Sequence, residues 1–152
     1  GGKQVNNIYQ GLNNVAPQVR LDFEAKNNKV VHALINQRLL AACHDISMGG
    51  FWVSILEMLL GERGLFQTGA SLNIPKEIEP FKFLFSENSG YIIALDDTNL
   101  ETVKAMLDEA GVWYSLIGKT QDTGKLEINK GDNLVVDFKL NELEQIWNSK
   151  NK

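Results

Sequence analysis

Apolar residues return at helical intervals from Phe23 onward, with Val30, Val31, Leu34 and Ile35 set among Asn27, Asn28, Lys29, Asn36 and Gln37. That spacing predicts a helix over residues 24–38. The run Leu39-Leu40-Ala41-Ala42-Cys43 is short, apolar and uninterrupted, which predicts a buried strand ending at His44-Asp45. Polar side chains then stand at a strand's carboxyl end. Residues 51–60 are too apolar for a surface helix and stop at Gly61, a C-cap residue, so a buried helix is expected there.

Further along, residues 70–74 alternate small or polar with apolar side chains and end at Pro75, as a strand followed by a turn would. Pro75 and Pro80 bracket a short stretch with helical character. Gly90-Tyr91-Ile92-Ile93-Ala94-Leu95 is the clearest strand, and a helix over 99–110 follows, with Leu100, Val103, Leu107 and Ala110 on its apolar face and Gly111 ending it. Strands are expected at 113–117, 126–128 and 134–138, the last two separated by Gly131-Asp132-Asn133. Asn141 is placed to cap a final helix carrying Leu143, Ile146 and Trp147. Residues 1–17, rich in Asn, Gln and Gly, read as a linker or the end of an upstream segment, leaving 18–152 as one domain. Helices mixed with at least one strand meander predict an α+β fold with a mixed sheet rather than a purely parallel one.

Composition narrows the function. With 43% hydrophobic and 22% charged residues in 152, the chain has the makings of one ordinary core. A net charge of -4 with scattered lysines argues against a nucleic-acid surface, which needs clustered cations to release counterions. The longest apolar run, 55–60, is interrupted by Glu57 and falls far below the roughly 20 residues that cross a bilayer. The single cysteine, Cys43, cannot form an intrachain disulfide, and no signal-peptide pattern opens the chain, so a reducing, cytoplasmic setting is expected. The absence of an initiator methionine before Gly1 adds the expectation of a longer parent polypeptide.

The chemistry concentrates in His44-Asp45-Ile46-Ser47-Met48-Gly49-Gly50-Phe51, which joins a strand to a helix. Ser47 is placed to cap the helix, and Gly49 and Gly50 let a ligand approach the backbone N–H groups at its start. Orphan donors and the helix dipole there favour an anion, with phosphate the first choice. Asp45 could hold a magnesium ion bridging phosphate oxygens, and His44 could orient a polar ligand or act as acid or base. A junction with Ser and two Gly is also what plain chain reversal requires, and spacing alone does not separate the two. It is not a P-loop, because Phe51 stands where the lysine would follow the last glycine. Cys43, inside an apolar run, reads as a small buried hydrophobe rather than a nucleophile.

The string Leu40-Ala41-Ala42-Cys43-His44-Asp45-Ile46-Ser47-Met48-Gly49-Gly50-Phe51, with Glu57-Met58 beyond it, resembles the His-Asp-x-Ser-x-Gly-Gly signature of the phosphoribosylformylglycinamidine synthase family. Leu84-Phe85-Ser86-Glu87-Asn88-Ser89-Gly90 is similar to that family's second C-terminal signature. Two signatures in the right order are far more specific than either alone, and the resemblance extends from about Pro17 to Trp147. Met48 stands where the family commonly has an acidic residue and Phe51 where it has Leu; Phe51-Trp52 is closer to aminoimidazole ribonucleotide synthetase, a relative in the same superfamily.

The resemblance implies an α/β/α layered domain like the C-terminal domain of aminoimidazole ribonucleotide synthetase. It also implies a part in a carbon–nitrogen ligase of purine synthesis. In that reaction ATP, with Mg2+, phosphorylates the formyl amide oxygen of formylglycinamide ribonucleotide. Ammonia from a separate or fused glutaminase then displaces phosphate to give the amidine. By similarity Asp45, Ser47, Gly49, Gly50 and Glu87 would bind phosphate or substrate, His44 would serve catalysis, and Asp45 would serve a metal. The partners implied are the nucleotide substrate, the rest of the synthase chain and the glutaminase. Family members bind ATP largely through an N-terminal domain whose motifs are not in this chain, so the chain alone is expected to be inactive. Two alternatives stand beside this: the corresponding domain of aminoimidazole ribonucleotide synthetase or another superfamily member, and a non-catalytic binding or dimerisation domain of the same fold.

Overall fold

The computed structural model describes residues 20–61 and 68–149. The expected connector at 1–17 lies outside the described residues. Five α-helices are described, α1 (Leu21–Asn36), α2 (Gly50–Leu60), α3 (Pro80–Phe85), α4 (Leu100–Glu109) and α5 (Leu140–Ser149). They are interleaved with β1 (Ala42–Asp45), β2 (Gly69–Asn73), β3 (Tyr91–Ala94), β4 (Gly118–Gln121), β5 (Lys125–Lys130) and β6 (Asn133–Lys139). A single 3₁₀ turn, Asp97–Asn99, leads into α4. The described residues form two compact units, one running up to Ile55 together with Phe85–Tyr114, the other taking Leu56–Leu84 and the chain from Ser115.

In the first unit β1 and β3 pair antiparallel, from Ala42 opposite Ala94 to Asp45 opposite Tyr91. Their inward residues Cys43 and Ile93 lie against a core of Val30, Val31 and Leu34 from α1 and Val103 and Leu107 from α4. The one-turn spacing of Val30 with Leu34, and of Val103 with Leu107, places each pair on one helical stripe.

Both helices end in the same way. Leu39 N–H donates to Leu34 O (3.1 Å) and Arg38 N–H to Ile35 O (2.9 Å) after α1. Val112 N–H donates to Leu107 O and Gly111 N–H to Asp108 O, both at 3.0 Å, after α4. These are two Schellman caps, and each sends its next apolar residue, Leu39 or Val112, into the shared core. The left-handed residue is Gly111 (φ 63°) in one but Arg38 (φ 56°) in the other.

The first cap shifts the start of the expected strand. Leu39 is taken by the cap, so β1 begins only at Ala42, and it ends at His44-Asp45 as the sequence predicts. On a two-stranded ribbon it is half-buried rather than buried.

The second unit holds a four-stranded sheet in the order β4-β2-β5-β6. β2 and β5 run parallel, with Leu72 opposite Ile128, while β4 and β6 flank them antiparallel. Alternate residues Ala70, Leu72 and Ile74, and Leu126 and Ile128, are buried, joined by Val136, Leu140 and Leu143. Gly69 and Gly118 are required by close approach, since a Cβ on either would overlap the neighbouring strand's backbone at Lys125 or Ser71. The mixed sheet with its helices is the α+β fold the sequence predicts.

Three local expectations shift. Residues 113–117 form no strand; Trp113 and Leu116 are exposed, and pairing begins at Gly118. The helix expected between Pro75 and Pro80 instead starts at Pro80, because proline is suited to a first helical position, and Glu79 Oε2 accepts Lys82 N–H at 2.9 Å across that turn. α5 starts at Leu140, whose N–H bonds Gly124 O, so Asn141 lies within the helix and not at its cap. Of the expected apolar face of α5 only Leu143 is buried, with Ile146 and Trp147 exposed.

Arg38 holds a backbone conformation that costs a side-chain-bearing residue about 1 kcal/mol. Arg38→Gly is therefore expected to stabilise the chain by about 0.5–1 kcal/mol, whereas Gly111→Ala destabilises it by a similar amount. Urea unfolding of the two variants beside the parent chain checks this; equal midpoints for all three would show that the caps do not limit stability.

Candidate functional site

The segment singled out in the sequence folds within the first unit, where β1 turns into α2. At the end of the ribbon Ile46 N–H donates to Gly90 O at 2.8 Å, so the chain is still tied to the segment preceding β3. It then reverses in four residues, with Gly50 N–H donating to Ser47 O at 3.0 Å. Gly49 (φ 94°) and Gly50 (φ 68°) both lie in the left-handed region. A Cβ on Gly49 would also collide with Val53 one turn into α2. The glycine pair is thus fixed by backbone geometry and by contact with the helix it precedes.

Ser47 closes this turn with its carbonyl, and not through the side-chain cap its identity predicts. Its side chain is exposed, as is Met48 beside it.

Glu87 is brought to the same turn from the second signature segment. Its Oε1 accepts Gly49 N–H at 3.1 Å, in a half-buried position. A carboxylate therefore already stands at one of the donors expected to hold an anion. The direct partner of Glu87 in this geometry is the glycine loop, and an external anion at Gly49 N–H would meet its negative charge.

His44 lies in β1 with its side chain 27% exposed, and its Nδ1 is 2.7 Å from Asp45 O. A carbonyl only accepts, so neutral His44 carries its proton on Nδ1 and presents Nε2 as the ring's acceptor. The Asp45 carboxylate is 3.7 Å from the same Nδ1 and 64% exposed. We assign the Nδ1 proton to the carbonyl, which is an ångström closer, and leave the carboxylate facing solvent.

Among the described residues no group of three His, Cys, Asp or Glu side chains is arranged to hold a metal. Asp45 is a single donor, which does not make a resident magnesium site by itself; a hard cation there would need oxygens brought by its ligand.

Cys43 sits behind the site, and its thiol is pushed above its ordinary value of 9.0, first by burial and then by the Asp45 charge. Both effects disfavour the thiolate, the nucleophilic form of a cysteine.

Sequence reasoning missed Ser54. It is 1% exposed in a helix that is otherwise apolar on its buried face, and its Oγ lies 2.9 Å from Asp45 O and 3.2 Å from Gly50 O. A lone serine inside an apolar run was the available signal.

The relatives matched include the phosphoribosylformylglycinamidine synthase subunit PurL of Thermococcus sibiricus, 29% identical over 153 residues that cover 98% of this chain and 20% of the relative. They also include the same subunit of Rhizobium meliloti, 35% identical over 106 residues covering 69% and 14%. This chain thus spans about a fifth of the length of the first curated relatives it matches.

The fold matches Thermotoga maritima PurL complexed with ATP, at a TM-score of 0.69 and 14% identity, covering 83% of this chain and 22% of that one. The same protein complexed with FGAR gives 0.68 and 12%, covering 79% and 20%. Residues 6–131 match the family described as AIR synthase related protein, C-terminal domain. With most of its length inside that match, the chain belongs to this family.

Proposed function

We propose that this chain is a C-terminal domain of a phosphoribosylformylglycinamidine synthase and supplies an anion-binding wall to its site. The observation that carries the reading is the meeting of the two signature segments, with Gly49 N–H on the Glu87 carboxylate and Ile46 N–H on Gly90 O. The likeness to PurL along nearly the whole chain supports it.

In this reading the amides at Gly49 and Gly50 and the start of α2 bind a phosphate, of the substrate or of a nucleotide. His44 Nε2 accepts a hydrogen bond from the ligand, or takes the proton that ammonia loses on forming the new carbon–nitrogen bond. The oxygen of the formyl amide leaves as phosphate. Asp45, with its carboxylate 3.7 Å from His44 Nδ1, could share a magnesium ion with the phosphates, which would supply charge neutralisation when bound. Ser47 is exposed at the turn and offers its hydroxyl to the ligand, while Glu87 sets the loop. ATP, the glutaminase and the remaining domains of the synthase complete the reaction, in the cytoplasm. Among the described residues no helix is long and apolar enough to cross a membrane.

A second reading, the equivalent domain of aminoimidazole ribonucleotide synthetase, is favoured by Phe51-Trp52 at the start of α2 and shares the same anion site.

Titration of the 15N-labelled chain with formylglycinamide ribonucleotide and with inorganic phosphate is expected to shift the Gly49 and Gly50 amides and the His44 ring. Silence at all three under both ligands would leave a non-catalytic domain as the better description. The same chain with ATP, ammonia and the ribonucleotide is expected to release no ADP above background; sustained turnover would overturn the view that the nucleotide half lies elsewhere.

Glu87→Gln keeps an acceptor for Gly49 N–H and removes a charge. Phosphate affinity is expected to rise about two- to fivefold at low salt, the range of a single charge at a helix start. A fall in affinity would mean instead that the carboxylate contacts the ligand favourably.

A further inference from the structure

The peptide unit between Asp45 and Ile46 decides what Ser54 does. A trans peptide points its N–H and its C=O in opposite directions. Ile46 N–H is turned toward Gly90 O on the β3 side of the ribbon, so the Asp45 carbonyl faces away from β3, where no strand among the described residues pairs with β1. An exposed ladder carbonyl at a sheet edge needs a partner from elsewhere. Two donors converge on it, His44 Nδ1 at 2.7 Å and Ser54 Oγ at 2.9 Å.

The ordinary role of a serine inside a helix is to bond the carbonyl four residues back, here Gly50 O at 3.2 Å. Ser54 has one hydroxyl proton, and the shorter contact is the one to Asp45. Gly50 O already lies at the helical acceptor position for Ser54 N–H, whereas the Asp45 carbonyl has no ladder partner on its side among the described residues. Ser54 is also the only buried polar residue among those described, set one turn into α2 and facing back to the strand that carries His44.

We propose that Ser54 is a positioning residue for His44: by fixing the Asp45 carbonyl from the buried side, its hydroxyl orients the imidazole and holds it as the Nδ1–H tautomer. The arrangement parallels a metal- or substrate-facing histidine whose far nitrogen is fixed by a carbonyl, with the addition that the carbonyl is itself held. Its importance for catalysis rests on the function proposed above; the positioning itself does not.

The chain contains two histidines, so exposed His32 on α1 serves as an internal reference in long-range 1H–15N spectra that distinguish the tautomers. Neutral His44 in the parent chain is expected as Nδ1–H. In Ser54→Ala the ratio of Nδ1–H to Nε2–H should fall, by up to about fivefold if the His44 bond to the released carbonyl is lost, with His32 unchanged.

Ser54→Cys, close in size with a weak donor, should fall between the two, and it decides the matter if the alanine variant does not fold. Ser54→Thr, which keeps the hydroxyl, should restore the parent ratio. An Nε2–H tautomer in the parent, or an unchanged ratio in a folded Ser54→Ala or Ser54→Cys variant, overturns the proposal. Phosphate titration of the same samples reads the Gly49 and Gly50 amides separately. Failure to bind phosphate would count against the function while leaving the tautomer result intact.

Discussion

One peptide unit, between Asp45 and Ile46, ties the parts of the site together. Its N–H reaches the segment before β3, its C=O receives α2 through Ser54, and the same oxygen orients His44. Strand, helix and second signature segment thus meet on one rigid plane whose two ends cannot turn independently. The glycine turn that follows inherits its starting direction from this plane. Without a fixed Ile46, neither the approach of Gly49 to Glu87 nor the start of α2 would be defined.

That constraint explains why the site is made largely of backbone. Gly49 and Gly50 are held in left-handed conformations, and Gly49 lies against Val53 so closely that a side chain cannot be added. A loop of this kind presents N–H groups in a set direction without paying side-chain entropy to do so. The carboxylate of Glu87 then plays a part that its place in a signature motif does not reveal. It satisfies the Gly49 donor and places a negative charge beside the loop, so it stabilises the turn while setting the field that any ligand approaching these amides would meet.

Much of the fold was legible because periodicity reports burial. Val30, Val31 and Leu34, Val103 and Leu107, and the alternating Leu72, Leu126 and Ile128 all occupy the core that their spacing predicts. What escaped was set by interactions outside the pattern. Arg38 forms a cap normally given to glycine, and in doing so takes Leu39 away from the strand its sequence suggests. Trp113 and Leu116 look like strand residues, yet close backbone approach at Gly118 determines where β4 begins. The glycine turn could be read from sequence because it needs particular residue types. Ser54 could not be assigned a role, since a buried serine matters only once the direction of the Asp45 carbonyl is known.

Met48 stands where the resembled family commonly carries an acid, and it is the departure most easily taken for a loss of function. The geometry argues otherwise. Met48 is 73% exposed in the turn, whereas the turn is held by Gly50 N–H on Ser47 O, Gly49 N–H on Glu87 and Ser54 on Asp45 O. None of those bonds uses the side chain at position 48. Replacing a carboxylate there by a thioether removes one negative charge near the amides while leaving Glu87 in place. For an exposed group the electrostatic effect is small and screened by salt, and its sign favours anion binding. The substitution therefore changes the field around the loop without undoing its construction, which rests on bonds that do not use the Met48 side chain.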